Sequence, residues 1–388
     1  MPPAYQLVDT QLDLDTLAAT LSTVPWVAVD TEFMRESTYY PELCLLQLAT
    51  ADWCALVDPL ADVDLTALWE ALYRPELRTV FHAASQDLEL FTLHRGAPPS
   101  AVFDTQVAAP LLGHAEGIGY ARLVEAVTGV ALPKDQTRAD WSARPLSDSA
   151  LRYAANDVVY LAQIYPEMSA ALERAGRLDW LAPEWAALGD VERYRRPPDA
   201  VAQRLKGIDR FNPPQQARAQ ALAIWREAEA QAANLPRGWV LSDQALNALA
   251  RKNPTDARAL ARLRDLKPAT VSSHGTALLR VLREAPDAPR YPVKRRRKSA
   301  DSLAQRCLLD ALAAHVSVIA LARQIHPDAL ASRAQLASWL ENGDGGFDTA
   351  WRDALLDAPL RAVLRGSVLL QVRDGAVSAV DAQGGASG

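Results

Sequence analysis

Apolar positions in the first half of the chain follow two alternating spacings. Residues 26–33 form a Val-rich run that reads as a buried strand. Residues 43–49 and 53–57 are two further apolar runs separated by Thr50-Ala51-Asp52, the pattern of a hairpin. Helical spacing follows over 65–73, residues 79–82 return to a strand, and 85–93 again have helical spacing, with Leu88 and Phe91 on one face and Asp87 in the first turn. Residues 101–103 supply a short fifth strand. From Gln106 onward the pattern is helical, with loops over 113–119 and 133–144 and a helix over 149–164. This alternation predicts an α/β domain over residues 1–196.

Beyond Ala200 the periodicity is almost purely helical, punctuated by Asn212-Pro213, Ser242-Asp243, Asn253-Pro254-Thr255 and Lys267-Pro268. A compact helical module is expected over 211–286. Residues 287–301 read as a linker, because prolines lead into the basic run Lys294-Arg295-Arg296-Arg297-Lys298. Helical spacing resumes over 302–378. Residues 379–388, small and Gly-rich, carry too little apolar surface to offset the entropy of ordering and are expected to be a disordered tail.

At 388 residues the chain exceeds what one core usually organises. No apolar run approaches the length of a membrane span, and no basic segment with a long apolar stretch opens the chain, so a cytoplasmic protein without membrane contact is expected. Cys44, Cys54 and Cys307 show no metal-ligand spacing and read as reduced core residues. With no heptad or cysteine pair to enforce association, a monomer is expected. The net charge of −6 conceals an asymmetry. Residues 1–196 carry 14 basic against 28 acidic side chains, a net of −14, and the remainder carries 27 against 19, a net of +8. An acidic front joined to a basic back points to a polyanion gripped mainly by the back.

The candidate chemistry is a set of carboxylates. Asp30 and Glu32 are two apart at the end of the first strand, hence on one face. Asp87 opens the helix after the 79–82 strand, and Tyr153 and Asp157 are four apart on a helix, hence also on one face. Converging carboxylates repel one another, and a hard divalent cation resolves the conflict.

These residues stand in Val29-Asp30-Thr31-Glu32-Phe33, Phe81-His82-Ala83-Ala84-Ser85-Gln86-Asp87 and Tyr153-Ala154-Ala155-Asn156-Asp157, which resemble the three exonuclease motifs of the DEDD superfamily, with the tyrosine of its DEDDy branch. The stretches from Glu36 to Gln47 and from Thr137 to Leu146 resemble the ribonuclease D family. The resemblance implies a ribonuclease H-like fold, a mixed five-stranded sheet flanked by helices. It implies a 3′–5′ exoribonuclease using two divalent cations per site, Mg²⁺ or Mn²⁺, and releasing 5′-mononucleotides, with precursor tRNA 3′ tails as substrate. Asp30, Glu32 and Asp157 would hold one ion, and Asp30 with Asp87 would position the second. Tyr153, whose phenol ordinarily titrates near 10, is a poor base at neutral pH and is expected to orient the attacking water.

Phe33 and Met34 are candidates for packing against the terminal nucleotide, with core packing as the alternative. His82 is a candidate for touching that nucleotide, with a satisfied polar group at a strand end as the alternative. Asp104 is expected to support the site without binding metal, and His94, His114, His274, His315 and His326 show no ligand spacing.

The motifs Asn234-Leu235-Pro236-Arg237, Val240-Leu241-Ser242-Asp243, Leu246, Leu249-Ala250 and His274-Gly275 resemble an HRDC domain, and residues 302–378 resemble a second, all-α HRDC-like module through Leu330-Ala331-Ser332-Arg333 and the run from Ala350 to Leu356. Arg204, Lys206, Arg210, Arg237, Lys252 and the 294–298 cluster are candidates for contacting RNA phosphates. The motifs do not themselves read the sugar, so a DNA exonuclease stays open as an alternative, as does a noncatalytic RNA-binding scaffold.

Overall fold

The computed structural model describes residues 4–132, 139–293, 302–342 and 347–382. The chain forms two compact units. The first comprises residues 1–32, 43–191 and 300–388, and the second 33–42 and 192–299. This differs from the serial arrangement expected from sequence, because the C-terminal helices cluster with the α/β part.

In the first unit, β1 (Gln6–Val8) and α1 (Gln11–Leu21) precede β2 (Trp26–Met34). β3 (Glu42–Ala49) and β4 (Cys54–Val57) pair antiparallel, with Ala49 opposite Cys54, as the hairpin pattern predicted. Then come α2 (Thr66–Leu72), β5 (Arg78–Phe81), α3 (Ser85–Arg95), β6 (Val102–Asp104) and α4 (Thr105–Ala108). α5 (Tyr120–Thr128), α6 (Asp148–Arg174) and α7 (Ala182–Gly189) complete the α/β part.

The sheet has six strands in the order β1-β4-β3-β2-β5-β6, with β1 parallel to β4, and β5 parallel to both β2 and β6. The expected five strands are therefore joined by a sixth at the β1 edge. At three residues, with only Val8 buried, β1 has too little pattern to announce itself. The central strands read as continuous apolar runs because helices cover the sheet: Val27, Ala28 and Val29 are at most 1% exposed. α6 packs against β4 and β5 and begins at an N-cap, where Ser147 accepts from the Ala150 N–H.

The C-terminal part holds α14 (Leu303–Arg323), α15 (Pro327–Leu330), α16 (Arg333–Asn342) and α17 (Ala350–Leu364), numbered after the six helices of the second unit given below. It ends in a hairpin, β7 (Val368–Arg373) paired antiparallel with β8 (Ala376–Asp381). The hairpin corrects the expected all-α module over 302–378. Its signal was present in the sequence as Asp374-Gly375 between apolar runs, and both residues adopt positive φ, 52° and 78°. Residues 379–382 belong to the hairpin or its closing turn rather than to a disordered tail, and 383–388 lie outside the described residues.

By length and composition α14 could cross a membrane, contrary to the reading that no segment qualifies. Here its Leu309, Leu312, Val316 and Ala320 are buried and the helix packs against α15, α16 and α17. Cys307, expected in the core, is exposed on this helix.

This part is seated on the α/β part by directional contacts. Trp180 and Trp351 stack with centroids 4.6 Å apart, and the Trp351 indole donates to the Trp180 carbonyl at 3.1 Å. Arg352 pairs with Glu184 at 3.3 Å, and the His326 N–H donates to the Pro110 carbonyl at 2.8 Å. Gly113, at φ 88°, has the conformation L side chains avoid, and a Cβ there would lie 3.3 Å from the Gln324 carbonyl oxygen.

The second unit contains α8 (Pro198–Arg204), α9 (Pro213–Ala232), α10 (Arg237–Val240), α11 (Asp243–Lys252), α12 (Ala257–Ala261) and α13 (Pro268–Glu284). Asn212 and Gln215 form a capping box at α9, and Ser242 caps α11, as the sequence punctuation indicated. Phe211, Leu222, Leu246, Leu249, Leu260 and Leu278 form its core. Of the expected linker 287–301, the described portion is held in place: Tyr291 exchanges hydrogen bonds with Gln220 and donates its hydroxyl to Asp199. The basic run 294–298 lies outside the described residues.

The segment 33–42 is anchored within this unit by side chains of α9 and the turn after it. Asn234 accepts from the N–H groups of both Tyr39 and Tyr40, at 3.1 and 3.0 Å. The Tyr39 hydroxyl donates to Glu227 and accepts from Gln231. Burial, reinforced by the Glu227 carboxylate, pushes that phenol up to about 12.

Candidate active site

Strand alternation puts Asp30 and Glu32 on one face of β2, and a helical spacing of four puts Tyr153 and Asp157 on one face of α6. The fold brings the two faces together. Carboxylate oxygens of Asp30, Glu32 and Asp157 all lie within 4.8 Å of one another. Thr31, pointing away from its two acidic neighbours, donates its hydroxyl to Asp87 at 2.5 Å and so ties the first turn of α3 to β2. Asp87 lies outside this trio of oxygens but within its electrostatic reach: the Asp30 charge acts on Asp87, and the Asp87 charge acts on Glu32.

Burial dominates the electrostatics. It raises the Asp30 carboxyl well above the ordinary range, and Asp157 raises it further. Burial and then the charges of Asp30, Asp157 and Asp87 push Glu32 up to about 9. Burial raises Asp157 to about 7 even though the Tyr153 phenol hydrogen-bonds to it, and Asp87 is raised by burial and by Asp30. Four desolvated, mutually repelling carboxylates on rigid elements are a poor arrangement in isolation and a good one around a hard divalent cation. The donor set therefore fits such an ion, with Asp30, Glu32 and Asp157 as the residues able to hold it. The Tyr153 phenol is itself raised by burial and by Asp157, so it is protonated at neutral pH.

Asp104 has a defined task. At the end of β6 its carboxylate accepts from the N–H groups of Ala83 and Ala84, at 3.0 and 2.8 Å, and from Gln106 at 2.8 Å. Ala83 sits at φ 63°, which costs about 1–2 kcal/mol for a residue with a Cβ. Asp104 holds that turn and satisfies the start of α3, which has no capping side chain of its own, so it places Asp87 from the adjacent strand.

Both ring nitrogens of His82 have partners within the fold: one is bonded to Thr105 and the other to the Ile118 carbonyl, both at 3.0 Å. Phe33 and Met34 are half-buried at the end of β2.

Two aromatics not singled out as site residues also lie at the site, Tyr120 near the acids and Trp141 near Tyr153. Tyr120 donates to the Asn156 carbonyl at 2.9 Å, and burial with the nearby Asp157 and Asp30 charges raises its phenol. Trp141 lies 6.3 Å from the Tyr153 ring. Its loop is clamped by Arg144, which pairs with Asp58 through Nε and Nη2, at 2.6 and 2.7 Å, and donates to the carbonyls of Cys44, Trp141 and Ala143. Trp141 and Arg144 lie in the 137–146 stretch, whose resemblance was the available signal; residues 137 and 138 lie outside the described residues. Tyr120 had none, because only the packing of α5 on α6 brings it near.

A mixed sheet, an acidic quartet and a tyrosine four residues before the last acid define a 3′–5′ exonuclease with an appended helical module. Comparison with known proteins agrees: residues 5–173 match the family model described as 3′–5′ exonuclease, and 215–282 match the HRDC domain. The chain is 42% identical over 300 residues to ribonuclease D of Acidiphilium cryptum, covering 75% of this chain and 76% of that protein. It is 40% identical over 302 residues to ribonuclease D of Granulibacter bethesdensis, covering 76% of each. The structure of Escherichia coli ribonuclease D superposes with a TM-score of 0.76 at 29% identity, covering 94% of this chain and 99% of that one.

The chain belongs to the ribonuclease D family. It is a hydrolytic 3′–5′ exoribonuclease that binds RNA, and the exonuclease domain of this family is metal-dependent.

Proposed function

We propose that this enzyme trims the 3′ tails of structured RNAs, precursor tRNAs foremost, as a cytoplasmic monomer using two Mg²⁺ or Mn²⁺ ions. The observation that carries this reading is the convergence of Asp30, Glu32 and Asp157 next to a protonated Tyr153. Asp30, Glu32 and Asp157 would hold one cation, and Asp30 with Asp87 would position the second. Bound cations neutralise phosphate charge and make a water easier to deprotonate at neutral pH. Tyr153 orients that water by hydrogen bonding rather than by taking its proton. The water, giving up a proton, forms an O–P bond to the terminal phosphorus as the bond to the preceding 3′ oxygen breaks; that oxygen takes up a proton to become the new 3′ hydroxyl, and a 5′-mononucleotide is released. Phe33 and Met34 pack against the departing nucleotide. The Escherichia coli relative is an exoribonuclease involved in structured RNA processing, in keeping with this substrate class.

The test is degradation of a 5′-labelled RNA carrying a folded body and a single-stranded 3′ tail, beside a DNA of the same sequence. A ladder receding from the 3′ end with Mg²⁺, stopped by EDTA and by Asp30→Asn and faster on RNA, is expected. Full activity of a folded Asp30→Asn protein would overturn the site, and equal rates on DNA the substrate class.

A further inference from the structure

The second unit contains a cavity of about 660 Å³ between the segment leading into α8 and the faces of α9 and α11. Its lining is rich in cations. Three pairs neutralise themselves: Arg195 with Glu192 at 2.7 Å, Arg226 with Asp243 at 2.7 Å, and Arg237 with Glu227 at 3.4 Å. Among the described residues the lining also includes Arg193, Arg196, Arg204 and Lys206, so it holds seven basic against three acidic side chains. Arg204 and Lys206 are exposed, and among the described residues neither has an ion-pair partner.

Such crowding is unfavourable for the protein alone, since like charges along a concave, partly apolar wall reinforce one another's potential. The volume lies within the range of ligand pockets and exceeds what a single phosphate group fills. Among the described residues no aromatic side chain lines it, so they offer no platform on which bases could stack. A wall of this kind selects charge without reading sequence.

We infer that this cavity is a phosphodiester-binding site for an RNA strand, gripping consecutive backbone phosphates of the substrate. The inference rests on the exoribonuclease reading for the identity of its ligand. It adds a location within the basic back half and a mode of recognition: Arg204 and Lys206 bind phosphates directly, Leu205 and Val201 supply an apolar floor, and base identity is ignored.

The experiment uses the full-length chain carrying Asp30→Asn, so that RNA survives, and measures binding of a fluorescent single-stranded RNA by anisotropy across a salt series. Adding Arg204→Ala and Lys206→Ala is expected to weaken binding several-fold and to flatten the log Kd against log salt plot by about 1.4, two phosphate contacts at about 0.7 each. The loss should be equal for RNAs of different sequence. An unchanged slope in a variant with unchanged melting would overturn the inference, as would a sequence-dependent loss. A competition arm distinguishes the ligand source: displacement of RNA by millimolar 5′-AMP or inorganic phosphate, reduced by the two substitutions, would reassign the cavity to a small phosphate ligand. Degradation of the same RNA by the wild-type chain is scored separately. No degradation with a flattened slope would sink the enzyme reading and keep the cavity, and degradation with an unchanged slope would do the reverse.

Discussion

Replacing Arg144 with alanine would cut the joint between the Trp141 loop and the sheet. The guanidinium meets Asp58 in a fork, with N–O distances of 2.6 and 2.7 Å, and donates to three carbonyls besides. Burial pushes the Asp58 carboxyl up, but the hydrogen bonds from Arg144 and from backbone N–H groups outweigh it and leave the carboxyl below its ordinary value. The Asp58 side chain is 10% exposed and that of Arg144 27%, so solvent screens the pair only in part. Removing one partner of a buried pair costs about 3–5 kcal/mol, and the partial exposure of Arg144 places this case at the lower end, about 3 kcal/mol. For a domain of this size that is a fall in Tm of about 6–12 °C.

The assay is a double-mutant cycle in the full chain, with Arg144→Ala, Asp58→Asn and both together followed by thermal unfolding. The coupling energy should exceed about 1.5 kcal/mol, as for charge-assisted bonds. Because the folded Asp58 value is depressed, its contribution is present above the unfolded value near 3.9 and is lost as pH falls through the folded one. The gap between wild type and Arg144→Ala should therefore be widest near neutrality and narrow in acid. A Tm within about 2 °C of wild type at pH 7, or a gap that widens on acidification, would refute the reasoning.

Three further outcomes are expected. Tyr153→Phe should lower kcat by about 100-fold with little change in KM, since misplacing a reacting group costs that order; steady-state kinetics decide it, and equal kcat removes the role. In EDTA the protein should lose Tm as pH rises from about 5 to 9, because the folded Asp157 and Glu32 values of about 7 and 9 stand above the unfolded carboxylate range. Mn²⁺ should restore Tm more at pH 9 than at pH 6, and a pH-independent metal effect would count against the cluster as its binding site. Asn234→Ala should release the Tyr39 and Tyr40 amides, raising their hydrogen-exchange rates above those of the α9 amides; unchanged protection would show that Asn234 does not hold them.

Much of the active site was legible because it depends on local periodicity. A spacing of two on a strand and of four on a helix already places Asp30 with Glu32 and Tyr153 with Asp157, whatever the rest of the chain does. The helix starts at Asn212 and Ser242 were equally readable, because an N-cap bonds to N–H groups two or three residues on. The Asp374-Gly375 turn had a local signal too, but it sat inside a region whose prevailing pattern was helical.

Long-range contacts carry no such signal. That Asp104 holds the turn before Asp87, that Thr31 reaches Asp87, and that both nitrogens of His82 are already bonded follow from strands adjacent in space, not in sequence. The same holds for the attachment of residues 33–42 to Asn234 and Glu227, nearly two hundred residues away. By itself the sequence determined which residues share a face and hence which acids could act together. The tertiary structure alone decided how deeply those acids are buried, which polar groups are already satisfied, and where excess cations gather, because desolvation and charge crowding depend on every neighbour the fold assembles.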